Sequence, residues 1–183
     1  MLRLFTGIEL PILLRQRLAL LEGGIDGAKW TTRENFHLTL SFIGEVSEQV
    51  AEDAHDALSG IRMEPFQLEL KGTGSFAKGT DVKVLWVGVQ HNDALHRLKD
   101  KIDRALAKYD VPVEKRKYVP HVTLARFRLP PEEAKIAQFM ATHNLFSGDA
   151  FDVEHFTLFR THQTKHGSEY ESLAEYPLGG GFA

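Results

Sequence analysis

The chain has no cysteine in 183 residues. That excludes a disulfide framework, a thiolate metal site and a cysteine nucleophile together. It fits a reducing compartment, and a cytoplasmic location is the expectation. A charge excess is missing too. Lys and Arg number 22 against 25 Asp and Glu, a net charge of −3, so the protein does not coat nucleic acid by bulk charge. No run of about 18 apolar residues exists, so no helix is expected to cross a bilayer. The opening MLRLFTGIELP carries Arg3 and Glu9, with Arg15 and Arg17 close behind, and does not read as a secretory signal. Low-complexity tracts and linkers are absent. So are several nucleotide-handling signatures. Gly72-Thr73-Gly74-Ser75-Phe76 lacks the Gly-Lys-Ser/Thr ending of a phosphate-binding loop. There is no dinucleotide fingerprint and no Gly-x-Ser-x-Gly elbow. The length fits one compact domain, or two lobes sharing a core.

What is present is an alternation of strands and helices. Leu2 to Leu10 reads as a strand, and Pro11 opens a helix to about Leu21. Phe36 to Ile43 is a strand. Ser47 caps a helix whose apolar positions are Val50, Ala54, Leu58 and Ile61. Phe66 to Leu70 alternates as a half-buried strand does, and a glycine-rich loop follows. The pattern then restarts. Lys83 to Val89 is a strand, Ala94 to Tyr109 a strongly amphipathic helix, and Val119 to Phe127 a strand. Pro131 to His143 is a helix with acids in its first turn. Phe151 to Phe159 and Glu169 to Tyr176 are the last strands. Strand–helix–strand–helix–strand thus occurs twice, with an offset of about 84 residues. Residues 1–183 are expected to form one bilobal domain.

The repeat carries a motif. Phe36-His37-Leu38-Thr39-Leu40 is matched by Pro120-His121-Val122-Thr123-Leu124. On a strand, residues two apart share a face, so each histidine stands beside its threonine while the leucines and valine pack behind. If the halves face each other, two imidazoles and two hydroxyls converge. Paired histidines can act as base and acid near neutral pH. Threonine hydroxyls can donate to phosphate oxygens. This suits in-line displacement at phosphorus without a metal. One such motif alone would be a half-buried strand with a satisfied histidine; two in matching positions point to a pair.

Arg126 is the candidate guanidinium for the phosphate. Five residues after His121, it would point to the opposite face of a regular strand, and a bulge is needed to bring it round. The segment from Lys115 to Pro131 holds Lys115, Arg116, Lys117, Arg126 and Arg128 and no acid. That local excess can be an anionic-substrate site or a solvated loop. A third H-x-T-L, at His155, falls outside the repeat and reads as structural or as cleft lining. His91 and His96 have the wrong spacing for one helical face. His162 and His166 lie in a polar run read as a loop, which supports metal ligation only weakly. His55 and His143 fall on helix surfaces. Among Phe5, Phe42, Phe76 and Phe127, Phe5 and Phe42 read as core. Phe76, in the glycine-rich loop beside Lys78, is the better base platform.

With these motifs, RLFTGIELP, ENFHLTLSFIGEV, GTGSF, VLWVGV, PHVTLARFR and FTLFRTH, the chain resembles the two-histidine (2H) phosphoesterase superfamily. More closely it resembles the RNA 2',3'-cyclic phosphodiesterases, also called 2'-5' RNA ligases. The resemblance implies an α+β, bilobal 2H phosphoesterase fold. Two pseudo-symmetric antiparallel-sheet lobes with outer helices would flank a central cleft. It implies His37 as general acid toward the leaving 3'-oxygen and His121 as general base toward water. Thr39, Thr123 and Arg126 would hold the phosphate. No cofactor and no metal are implied. The partner would be RNA with 2',3'-cyclic phosphate ends, tRNA halves among the candidates, or cyclic nucleotides; no membrane partner and a monomer are expected. The products would be 2'-phosphates, with 2'-5' ligation a further activity of some members. Alternatives are a 2H enzyme for 2'-5' oligonucleotides or small cyclic nucleotides, and a non-catalytic RNA-end-binding module. The symmetry of the motifs leaves open which histidine is acid and which base.

Overall fold

The structure, a computed structural model, describes residues 1–179. Along the chain come β1 (Leu2–Glu9), α1 (Ile12–Ala19), β2 (Ala28–Trp30), a 3-10 turn (Arg33–Asn35) and β3 (His37–Val46). Next are α2 (Glu48–Ser59), β4 (Phe66–Leu68), β5 (Leu70–Lys78), β6 (Asp81–Val89) and α3 (Asp93–Lys108). β7 (His121–Phe127), α4 (Glu133–His143), β8 (Phe151–Val153), β9 (His155–Thr164) and β10 (Gly167–Pro177) complete it. Two four-stranded antiparallel sheets form the lobes, ordered β10-β9-β1-β3 and β2-β7-β6-β5. The lobes are not the two contiguous halves of the chain. β5, from the first half, pairs with β6; β9, from the second, pairs with β1. β4 and β8 form a small sheet of their own, with Gln67 opposite Asp152.

Local sequence explains the elements. α3 buries Leu95, Leu98, Ile102 and Leu106 completely, and the Asn92 side chain caps it by accepting from the Leu95 N–H at 3.0 Å. Each such leucine contributes about 1.5–3 kcal/mol by leaving water. Ser47 caps α2 in the same way, accepting from the Val50 N–H. α2 and α3 pack on one another and against the first sheet, while α4 packs against β5 in the second. One apolar core runs through both lobes.

Several expected boundaries shift. The glycine-rich loop is in fact the strand β5. A Cβ on Gly74 would come within 2.2 Å of the Trp86 ring, so the glycine is there to seat the indole of the neighbouring strand, not to make a turn. The polar run around His162 is also strand, because β9 and β10 form a long hairpin that turns after Thr164. The expected strand from Phe151 to Phe159 breaks at Glu154 into β8 and β9, which join different sheets. Phe66 to Leu70 likewise divides between β4 and β5. The short β2 has no strong strand signal and exists because β7 offers it an edge.

Candidate active site

β3 and β7 carry the same sequence of buried and open positions. In β3, Leu38, Leu40, Ser41 and Ile43 face inward, while His37, Thr39 and Phe42 face out. In β7, Val122, Leu124, Ala125 and Phe127 face inward, while His121, Thr123 and Arg126 face out. Two consecutive inward residues require a bulge, and the register shows it in both strands. Thr123 lies opposite Trp86 and Ala125 opposite Leu85, so Leu124 is the extra residue. Thr39 lies opposite Gly7 and Ser41 opposite Thr6, so Leu40 is its counterpart. The bulge restores Arg126 to the face that holds His121 and Thr123. In the first lobe the equivalent turn presents Phe42, which is 46% exposed. Phe42 is therefore not a core residue as expected. It is an apolar side chain on the face where its counterpart is a cation.

The two histidines are held alike. The Nδ1–H of His37 donates to the Asn35 carbonyl at 2.7 Å, and that of His121 to the Val119 carbonyl at 2.7 Å. A carbonyl can only accept, so each neutral ring keeps its hydrogen on Nδ1 and carries its lone pair on Nε2, which in His37 accepts from the Thr39 hydroxyl. In His37, Nε2 lies 3.0 Å from Thr39 Oγ1. Aromatic rings set both imidazoles. Phe5 lies 4.9 Å from His37 and Tyr170 meets it edge-on at 4.9 Å. Phe76 meets His121 edge-on at 4.8 Å, with Trp86 at 6.0 Å. Phe76 thus stands on a strand beside His121.

The electrostatics tie the two lobes together. Burial pushes the His37 pKa down to about 4. The hydrogen bond to Asn35 opposes this, and the charges of Arg126 and His121 reinforce it. His121 is lowered by burial as well, opposed by its bond to Val119 and reinforced by Arg126. Arg126 from β7 therefore acts on both imidazoles, and the charge of His121 reaches His37. Contacts between β3 and β7 bring the two motifs together. Tyr118, just before β7, donates its hydroxyl to the Thr39 carbonyl across the cleft at 2.8 Å. The Glu114 N–H donates to the Phe42 carbonyl at 2.9 Å. The basic run Lys115, Arg116 and Lys117 follows directly after it in the chain. Behind β3, Ser41 donates to Asp103 at 2.6 Å, and Lys99 donates to Asp103 at 2.7 Å and to Ser41 at 3.1 Å.

Sequence reasoning missed Tyr118, Tyr170 and Trp86, the rings and hydroxyl that hold the motifs from other segments; only Trp86 carried a signal, as the large residue in a strand ending Val87-Gly88-Val89. His155 stays apart from the pair. In the first sheet Glu9 lies opposite His37, at the end of β1, which runs between β3 and β9. Glu9, His155 and Glu175 place ligand atoms within 4.8 Å of one another, the grouping among the described residues with the composition to hold a metal ion. Both glutamates are exposed there, and His155 approaches Glu175 only to 3.9 Å.

Comparison with known proteins places this geometry. A family model described as the 2'-5' RNA ligase superfamily matches residues 16–165. An Aeropyrum pernix protein named RNA 2',3'-cyclic phosphodiesterase is 36% identical over 143 residues, covering 78% of this chain and 81% of that protein. The crystal structure of a Thermus thermophilus protein, TT0787, aligns with a TM-score of 0.78 at 28% identity, covering 98% of this chain and all of that one. E. coli LigT complexed with 3'-AMP aligns with a TM-score of 0.77 at 25% identity, covering 97% of this chain and 98% of that one.

Proposed function

The chain belongs to the 2'-5' RNA ligase superfamily, and from that footing we propose that it opens 2',3'-cyclic phosphate ends of RNA to 2'-phosphates. One observation carries the reading. Two histidines, each locked through Nδ1 to the carbonyl two residues upstream, turn Nε2 outward beside a threonine, and a bulge turns Arg126 to the same face. A lone binding site needs no such pair.

His121 is the base. Its neutral Nε2 takes a proton from water as the water oxygen attacks phosphorus. His37 is the acid. Its Nε2–H goes to O3' as the P–O3' bond breaks, leaving the phosphate on O2'. Thr39 and Thr123 donate to the non-bridging oxygens, and Arg126 stabilises the charge that builds on them. A 5'-hydroxyl in place of water, giving its proton to His121 and attacking phosphorus as the same P–O3' bond breaks, would leave a 2'-5' linkage through the same groups. Phe42 and Phe76 flank the centre on opposite lobes and offer flat faces for bases. Phe76, the platform expected from the sequence, stands on the His121 side. That the E. coli relative was crystallised with 3'-AMP supports a nucleotide in this cleft. We place the protein in the cytoplasm as a monomer acting in RNA processing, with the whole chain as one bilobal unit repeating at about 84 residues. Among the described residues no helix is long and apolar enough to cross a membrane.

The test is an RNA oligonucleotide ending in a 2',3'-cyclic phosphate, incubated in chelator with the wild type and with His37→Ala, His121→Ala and His155→Ala. A 2'-phosphate product, lost with the first two variants and kept with the third, supports the reading. No product from the wild type, or a 3'-phosphate, sinks it.

A further inference from the structure

The bulge in β3 is fastened from three sides. Leu40 is the extra residue, and Thr39 and Ser41 flank it. The Ser41 N–H donates to the Thr6 side chain at 3.0 Å. The Thr39 carbonyl accepts from the Tyr118 hydroxyl at 2.8 Å, and the Phe42 carbonyl from the Glu114 N–H at 2.9 Å. The segment before β7 thus ties down the strand on either side of the bulge. Behind it, the Ser41 hydroxyl donates to Asp103, and Lys99 donates to both. Lys99 is a buried cation that the chemistry above does not use. Its ammonium sits 5.4 Å from the centre of the Tyr118 ring, and His96 meets that ring edge-on at 5.7 Å. One ion pair on α3 therefore braces both Ser41 and Tyr118.

The second lobe is built differently. The residue that matches Ser41 in the β7 bulge is Ala125, which has no side-chain group for such bonds. The two motifs differ in the same sense. His37 Nε2 meets the Thr39 hydroxyl at 3.0 Å, whereas the hydrogen bond that the His121 ring makes among the described residues is to Val119 and not to Thr123. A threonine has few side-chain rotamers, so its hydroxyl goes where its backbone sets it. Tyr118 has the polarity to set that backbone. Burial, and then the charge of Asp103, push its pKa up, so the hydroxyl keeps its proton and donates. A donor is what a carbonyl beside a bulge requires.

We propose that Tyr118 is a positioning residue: through the Thr39 carbonyl it fixes where the Thr39 hydroxyl stands against His37 and against the phosphate. Its effect on rate rests on the reaction proposed above; its hold on the contact between Thr39 and His37 does not.

The experiment takes wild type, Tyr118→Phe, Thr39→Val and the double variant, with an RNA oligonucleotide ending in a 2',3'-cyclic phosphate. Phenylalanine keeps the ring beside Lys99 and His96 and removes only the donor. Tyr118→Phe should lower kcat roughly tenfold, the scale of one hydrogen bond. KM should stay within roughly twofold, because Thr123 and Arg126 still hold the bound phosphate. In the Thr39→Val background the same change should cost less than about twofold further, since the hydroxyl it positions is gone. An unchanged kcat, a loss in KM alone, or an equal loss in both backgrounds overturns the proposal. A second arm needs no turnover. The ring nitrogens are followed by NMR in protein carrying 15N-labelled histidine. The His37 Nε2 signal should move in Tyr118→Phe toward its place in Thr39→Val, and the double variant should match Thr39→Val. The His121 signal should keep its place. If the wild type leaves the RNA end intact, the reaction fails and this arm alone decides the positioning. A His37 signal that ignores Tyr118→Phe, or one that moves no more than the His121 signal, overturns the proposal even in an active enzyme.

Discussion

The proposed acid has the wrong charge in the free protein, and correcting that charge is a task for the substrate. With its pKa pushed down to about 4, His37 is protonated in only about one molecule in 10³ at pH 7. A phosphate anion changes this. At about 4 Å from the imidazolium, with an effective dielectric constant of about 20, it favours the charged ring by about 4 kcal/mol. That corresponds to about three pH units, enough to return His37 to the neighbourhood of pH 7. The sign is fixed, since an anion always favours the protonated imidazole. The assay is an NMR titration of the histidine ring protons, with and without saturating inorganic phosphate, using His37→Gln to assign the resonance. The free protein should show a His37 midpoint well below the ordinary value of about 6.5, and the anion should raise it by roughly two to three units. An ordinary midpoint in the free protein would refute the burial argument. A midpoint left unmoved by bound phosphate would refute His37 as the acid.

Three further outcomes follow from the same contacts. Because His37 titrates lower when folded than when unfolded, the unfolded chain binds more protons between pH 6.5 and about 4. Stability present above 6.5 is therefore lost as pH falls through that window, by up to roughly 3 kcal/mol, and urea melts at about pH 7 and about pH 4.5 on wild type and His37→Gln should show the difference shrink in the variant. Arg126→Met should lower kcat by roughly 10²–10³-fold and raise both histidine midpoints in the free protein, since the cation holds both down; unchanged midpoints would place Arg126 away from the pair. Gly74→Ala drives a methyl group into the Trp86 ring at 2.2 Å, so it should cost about 1–3 kcal/mol in denaturant melts and disturb His121 through the displaced indole, whereas a wild-type melt would mean the indole is free to move.

Much of the site was written in local sequence. Alternation along a strand puts His37 beside Thr39 and His121 beside Thr123 whatever the rest of the chain does, and the matched apolar positions behind them dictate which face is buried. The helices were equally legible, because caps such as Ser47 and Asn92 and the helical period are properties of a single segment. What the sequence could not determine depends on which strand lies next to which. Arg126 read by simple alternation points away; only pairing with β6 introduces the bulge at Leu124 that turns it back. Phe42 sits in an apolar run and looks like core, yet the same bulge in β3 exposes it. The glycines of β5 look like a loop until the Trp86 ring across the sheet occupies the space that Gly74 leaves. The exchange of β5 and β9 between lobes is also invisible in a repeat read along the chain. Residue types and their period set each element and its faces, because those are short-range effects. Register, bulges and the surroundings that drive down the His37 pKa arise only when distant strands pack together, because hydrogen-bond pairing and desolvation belong to the assembled sheet and not to any one strand.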